Sequence, residues 1–539
     1  MIRKLCLGLL LLASAATAHA AINLSASAGN NQASLTWSYT DSTVAATQEV
    51  FRDTDSNPSG RVRIASISTG TRSYSDTSAL NGTTYWYWIK NTNSGTVTNS
   101  NAASVTPNGT PPPSGGSYTP VTNQYVYRNI TTTNALSLDS AHFRVYFGTD
   151  GRNANGILGH NSQAQVTQVL DFLEAAYAYW IVQRGFRSPG RPVNGRPGGP
   201  FKMNVYATND LNAGGAMGFD GNAGLPYLVV HTNQMSAVNV YVHEFGHCIT
   251  LSEFFWVNKS NTGAWWETLA QWHTDNFVAF SSQHATTAAR YGRATSSTII
   301  NLNSTISQSR LTLVHANNRY EAWPFFAYLN ANPDGYAGLG DTAVRSMYRA
   351  HQGNETPLQT VARMTSTPWQ RVVGQYWARM AYMDINHALA RQRLLSSINN
   401  TTFRANSYRN LTSIGNLTYR VIPARQPMYG GANINPLTVT GDGNISIDVH
   451  NLGNGLSDSN FTATLAIRST SSGAVRYVQM SNAGTGAAFI GAGEEATLVV
   501  ANTPNNLLTY DAFASTGTAP ELRGLNYEVV IVGARPRDL

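Results

Sequence analysis

Between residues 21 and about 107, apolar and polar positions alternate in short runs: "ASLTWSYT", "TQEVFRDT", "VRIASIST", "TYWYWIKN" and "SNAASVTP". A period of two predicts half-buried strands, and turn residues at regular intervals between them predict a β-sandwich. Trp37 on an early strand and residues 85–89 on a later one suit its core. From about 121 the texture changes. "HFRVYFG", "FKMNVYAT" and "LPYLVVHT" read as strands, whereas Val166, Val169, Leu170, Leu173, Tyr177, Trp180 and Ile181 recur at helical spacing. Further helices are predicted over 239–251, 265 to about 280, 320–330, 342–350 and 369–395. From about 426, strand alternation returns in "NISIDVHNLG", "FTATLAIRS", "VRYVQMS", "EEATLVVANTP" and "LNYEVVIVGA". The pattern predicts a multidomain α+β protein with a β-sandwich at each end, and a central α+β domain that passes into a helical subdomain.

A chain of 539 residues is too long for one compact core. The expected segments are a signal peptide at 1–20, a sandwich at 21–107, a linker at 108–120, a central domain at 121–425 and a second sandwich at 426–539. The linker, "NGTPPPSGGSYTP", mixes stiffening prolines with loosening glycines, so the module before it is tethered rather than fused. The opening "MIRKLCLGLLLLASAATAHA" has a basic start, an apolar run too short to span a bilayer and a small-x-small end. It predicts export, with no stable membrane insertion.

Charged residues are only 12% of the chain, and the formal net charge of +7 is spread without a Lys/Arg run. That argues against a nucleic-acid partner. Of the two cysteines, Cys6 leaves with the signal segment and Cys248 stays alone, so no intramolecular disulfide is expected. "DTDSNPSG" begins like a calcium loop but carries Pro58 where glycine is needed and lacks the closing glutamate. It reads as a hairpin turn, and calcium binding is left unsupported.

The chemistry sits in "YVHEFGHCIT". On a helix, His243 and His247 lie one turn apart on the same face and can grip one ion. Glu244 is rotated off that line, where it can reach a water but not act as a comfortable ligand. This H-E-x-x-H spacing belongs to zinc hydrolases, in which the metal acidifies a water and the glutamate takes its proton. A catalytic zinc takes three protein ligands and leaves a fourth position for water. Glu253 would serve only if the chain turned sharply at position 250, which is threonine. Glu267, in "GAWWETLAQWHTD", is the other candidate, because a carboxylate among Trp265, Trp266 and Trp272 is costly unless paired or metal-bound. Gln271 or Asp275 could then orient a ligating histidine. Cys248 is expected to be a small buried residue turned away from the ion.

Residues 21–107, with "YWYWIKNTNSG" and "SNAASVTP", resemble fibronectin type III modules. "HEFGH" followed by "WWETLAQW" resembles the gluzincin (thermolysin-like) zinc metallopeptidases. More narrowly, residues 121–539 resemble the Svx/AvrXca-type secreted virulence proteins of plant-pathogenic bacteria, through "HFRVYFG", "PFKMNVYAT", "HEFGH", "WWETLAQW", "RYEAWPFFAYL" and "GLNYEVVIVGARP". The resemblance implies His243, His247 and Glu267 as ligands of one catalytic Zn²⁺, and Glu244 as general base. It also implies type II export through the periplasm and a protein or peptide substrate, such as plant extracellular proteins. Related folds place a downstream Tyr or His at the oxyanion, and here Tyr320 comes first and His315 second. One departure is Gln271, where gluzincins of this type carry aspartate. Two rival readings stay open: a wall- or carbohydrate-binding protein with a structural zinc, and zinc hydrolysis of a non-peptide bond. Cleavage specificity and oligomeric state are written in no motif.

Overall fold

The computed structural model describes residues 22–29, 32–40, 47–76, 79, 83–107, 118–121, 135–148, 161–293 and 302–539. The expected signal segment and most of the expected linker lie outside them. The chain divides into two compact units. One runs to Gly115 and takes in Val182–Gly185; the other holds Gly116–Ile181 and Phe186–Leu539. The architecture is multidomain α+β.

The first unit has eight described strands: β1 (Ile22–Gly29), β2 (Gln32–Tyr39), β3 (Thr47–Asp53), β4 (Val62–Ile67), β5 (Ser73–Asp76), β6 (Tyr85–Asn93), β7 (Thr96–Asn99) and β8 (Ala103–Val105). They form sheets of order β1-β2-β5 and β4-β3-β6-β7, with β8 also pairing β6. Leu24, Leu35 and Trp37 from one sheet meet Val50, Tyr87 and Ile89 from the other in a common core, so this is a β-sandwich. Gln48 is buried, and its side chain is satisfied by Trp37 Nε1 at 2.9 Å and by the Ser68 carbonyl at 2.9 Å. The "DTDSNPSG" segment joins β3 to β4, and Asp55 and Asn57 accept from the amides of Asn57 and Ser59. These are side-chain turns, as the hairpin expectation required.

The second unit opens on a mixed sheet made of β9 (Leu136–Asp139), β10 (Phe143–Phe147), β11 (Met203–Thr208), β12 (Gly215–Asp220) and β13 (Leu225–His231). Its order is β12-β13-β11-β10-β9. β10, β11 and β13 run parallel, and β9 and β12 are antiparallel edges. Central β11 is buried at every position, its polar Asn204 and Thr208 included, as a strand covered on both faces must be. Three helices matter for the site: α1 (Gln163–Tyr177), α2 (Val238–Glu253) and α3 (Gly263–Phe280). A Ser162/Gln165 capping box starts α1, which then widens into π-helical turns over Ala178–Gln183.

Helices Ser282–Arg290, Leu302–Ser307, Pro324–Ala331, Ala343–Ala350, Pro357–Met364, Trp369–Met380, Ala388–Ser397 and Thr401–Ser407 follow. The single helix expected over 369–395 is two. Met383 and Asn386 adopt left-handed φ of 52° and 58°, which a continuing helix cannot hold. The helix expected from 320 begins at Pro324, in the first-turn position proline favours, and leaves Tyr320 in the preceding turn.

The closing sandwich comprises β14 (Leu411–Gly415), β15 (Thr418–Val421), β16 (Ala432–Val439), β17 (Asn444–Gly453), β18 (Phe461–Ser469), β19 (Val475–Gln479), β20 (Thr485–Phe489), β21 (Glu494–Asn502), β22 (Asn526–Val532) and β23 (Ala534–Pro536). Its sheets are β14-β15-β22-β17-β20 and β19-β18-β21-β16-β23, closed on Leu465, Leu498, Tyr527 and Ile531. It starts at Leu411, not at the expected 426. β15 pairs with β22 more than a hundred residues downstream, a partnership that local alternation does not reveal. Trp377 Nε1 donates to the Gly430 carbonyl at 2.7 Å and Thr497 Oγ1 donates to Tyr382 Oη at 2.9 Å, which ties this sandwich to the helices. No helix among the described residues is long and apolar enough to cross a membrane.

Candidate metal centre

β13 delivers the chain, through a turn at Thr232–Gln234, into α2, which carries the histidine pair. α2 is buried almost throughout its second half, and Phe254 ends it with a left-handed φ of 67°. α3 packs directly across it. Gly246 makes this closeness possible: a Cβ there would stand 2.9 Å from the Ala270 Cα and 3.1 Å from the His273 Cβ. Those neighbours are backbone and the root of a side chain, so they cannot swing aside. Gly246→Ala should therefore push α3 outward and carry Glu267 with it. The expected result is a lower melting temperature and, for a metal ion held by the three residues described next, at least tenfold weaker binding in a metal-competition titration.

At the crossing, His243 Nε2 lies 3.1 Å and His247 Nε2 lies 3.2 Å from the same oxygen, Glu267 Oε2. The imidazole rings are 4.8 Å apart at 84°, and one ligand atom from each of the three residues falls within 4.8 Å of the others. Ligands held ~2.0–2.1 Å from a tetrahedral zinc stand ~3.3 Å from one another. The two separations from Glu267 Oε2 are close to that edge, and two imidazole nitrogens with one carboxylate oxygen make a donor set that zinc accepts. The three side chains are 13%, 11% and 26% exposed, so the cluster opens on solvent at one side. Burial works to raise the Glu267 carboxyl, but hydrogen bonds from His243 and His247 outweigh it and hold the group well below the usual carboxylate range.

Glu244 leaves α2 beside this cluster and is buried. Burial pushes its carboxyl up to about 7; Glu267 adds to the rise, while His243 and a backbone hydrogen bond from Met217 oppose it. Met217 belongs to β12, so the sheet edge lies against the glutamate. Tyr320 also arrives here, its ring centroid 5.9 Å from that of His243. His315 is held locally, its Nδ1 accepting from the Asn317 amide at 3.0 Å. Cys248 is buried and unpaired, as expected, and burial raises its thiol well above the ordinary value.

Glu253 is committed elsewhere. Arg349 grips both of its oxygens, at 2.9 and 2.8 Å, and the Arg187 amide donates at 2.9 Å. Its work is to anchor the end of α2. Asp275 is engaged by His387 Nε2 at 2.7 Å, in a pair buried on both sides. It thus fastens α3 to the helix at Ala388–Ser397. Gln271 is buried, and its Nε2 has no hydrogen-bond partner among the described residues. Arg349, His387 and Met217 carry no local pattern that would have pointed to them. A buried acid implies a partner, but the partner's position is a matter of packing.

Residues 115–537 match DUF6055, a family of unknown function, and the chain belongs to that family. No curated protein matches it. Among solved structures, it is similar to the pectate lyase Pel3 of Pectobacterium carotovorum, at 32% identity over 16% of this chain and 27% of that one, with a TM-score of 0.15. Pectate lyase PelI of Erwinia chrysanthemi is 36% identical over 16% and 28%, with a TM-score of 0.15. A Fn3-like protein of Clostridium thermocellum is 30% identical over 15% and 83%, with a TM-score of 0.14. The chain thus spans about a quarter of the length of the pectate lyases it matches.

Proposed function

We propose that this DUF6055 member is a secreted zinc endopeptidase of gluzincin type that acts on extracellular proteins of a host, with a fibronectin type III-like module at its N-terminal side. The observation that carries the reading is the convergence of His243, His247 and Glu267 beside a buried Glu244. Zinc held by those three residues supplies Lewis acidity, which brings the pKa of a water toward ~7. Glu244 takes a proton from the attacking water as its oxygen bonds to the scissile carbon, and returns it to the departing amine nitrogen as the C–N bond breaks. Tyr320, beside His243, serves the carbonyl oxygen as it becomes negative. β12 is the edge of its sheet among the described residues, so an extended peptide can add to it as a further strand and be held across the cluster.

The test is metal analysis of the purified protein beside a protein-substrate assay. Zinc near one per chain, with hydrolysis abolished by chelator and restored by zinc, is the expected outcome. Hydrolysis indifferent to metal removal sinks the reading.

A further inference from the structure

The wall of the cluster beyond Tyr320 carries a cation whose charge the described residues leave unanswered. The Arg319 guanidinium stands 4.7 Å from the centroid of the Tyr320 ring and 5.9 Å from that of Phe513. No carboxylate among the described residues forms an ion pair with it. Its backbone is pinned to α3, because Thr268 Oγ1 donates to the Arg319 carbonyl at 2.6 Å, and its Nη1 donates to the Ala316 carbonyl. Phe513 comes from the long segment between β21 and β22, so the closing sandwich contributes to this wall. Gly263 opens α3 without a side chain, and a Cβ there would stand 3.0 Å from the Phe513 Cδ2, so the ring can lie against that turn. Phe513 is nonetheless exposed, at 53%, as Phe255, Phe280 and Phe489 also are among the described residues, so its ring stays open to solvent beside the guanidinium.

We propose that Arg319, held by Tyr320 and Phe513, is a substrate-selecting residue that binds a carboxylate of the peptide within about two residues of the scissile bond, a span of ~7 Å in an extended chain. Aromatic rings beside a guanidinium exclude water from it while leaving N–H groups in its plane for a two-point grip on a carboxylate. One ring separates this cation from His243, so the bound group lies close to the metal ligands. The carboxylate can be an Asp or Glu side chain or the peptide's own C-terminus. This assignment rests on the peptidase reading.

Binding is measured by calorimetry on full-length Glu244→Gln protein loaded with zinc. One set of end-blocked peptides has a glutamate walked through a neutral sequence; matched peptides carry glutamine, or glutamine with a free C-terminus. At one or two positions glutamate should bind about tenfold or more tighter than glutamine. Arg319→Met should erase that ratio, Arg319→Lys keep part of it, and Arg319→Glu transfer the preference to lysine peptides. If only the free C-terminus gives the advantage, the carboxylate is terminal. Ratios near one for both the glutamate side chain and the free C-terminus, or a ratio unchanged in Arg319→Met protein that retains zinc, overturn the assignment. Arg319-dependent selectivity in a chain whose parent hydrolyses none of these peptides keeps the subsite and rejects the peptidase.

Discussion

On the proposed peptidase reading, Glu244→Gln is expected to cut hydrolysis by ~10²–10⁴-fold while zinc content stays near one per chain. The substitution keeps the shape of the side chain and an oxygen to accept the Met217 hydrogen bond, but removes the ability to take a proton. Glutamine is neutral, so its burial costs less than that of a carboxylate, and the variant is expected to fold as the parent does. Loss of a general base typically lowers turnover by ~10²–10⁴-fold. The expected result is a fall of that size in kcat on a generic protein substrate, with KM little changed, because glutamine still accepts the Met217 hydrogen bond from β12 and His243, His247 and Glu267 are untouched. Zinc by mass spectrometry of the intact protein, read beside the assay, separates a missing base from a missing metal. A Glu244→Gln enzyme as fast as its parent would falsify the assignment of the base and leave the zinc a structural part.

Glu267→Ala is expected to empty the proposed zinc centre. The two histidines come from one helix turn, and only Glu267 brings a ligand from a second helix. Without it, two imidazoles remain, and two ligands make a far weaker site than three. Zinc per chain should fall from about one to near none after dialysis against a mild chelator, and hydrolysis should vanish with it. A second readout is independent of activity. Metal that binds only the folded chain raises stability by about 4 kcal/mol at a thousandfold excess over its dissociation constant. The parent should therefore lose several degrees of melting temperature when stripped, whereas Glu267→Ala should melt alike with and without chelator. Glu253→Gln is the informative contrast. It weakens the Arg349 clasp at the end of α2 yet should retain its zinc, since that carboxylate is already bound by Arg349 and the Arg187 amide. Loss of zinc from Glu253→Gln, with none from Glu267→Ala, would exchange the two roles.

Much of this arrangement is legible in the chain because it is local. The strands "NISIDVHNLG" and "FTATLAIRS" coincide with β17 and β18, because alternation is the pleat itself written in side chains. β12, reading "GAMGFD", escapes the same rule. Two glycines supply no side chain to alternate, and the strand is set by pairing with β13. β16 escapes it through Pro436, which pairs with Thr497 just before the strand takes up β23 at Leu437. The break at Met383 and Asn386 is hidden for another reason. Met383 carries no stop signal, Asn386 follows it too late to mark the first break, and the turn there is held by Arg379, which donates to the Asp384 carbonyl at 2.9 Å.

By itself, the sequence determined what the backbone fixes over a few residues. It set the strands whose alternation is unbroken, such as β17 and β18, and that His243 and His247 share a helix face with Glu244 turned aside, because the rise and rotation of a helix are the same wherever it lies. Only the tertiary structure decided which acids serve that pair. It turned Glu253 to Arg349 and Asp275 to His387, brought Glu267 onto both imidazoles, and carried Phe513 from the closing sandwich to Arg319. Those choices depend on how helices and sheets far apart in the chain pack against one another, and packing is settled by the whole core rather than by any short stretch of it.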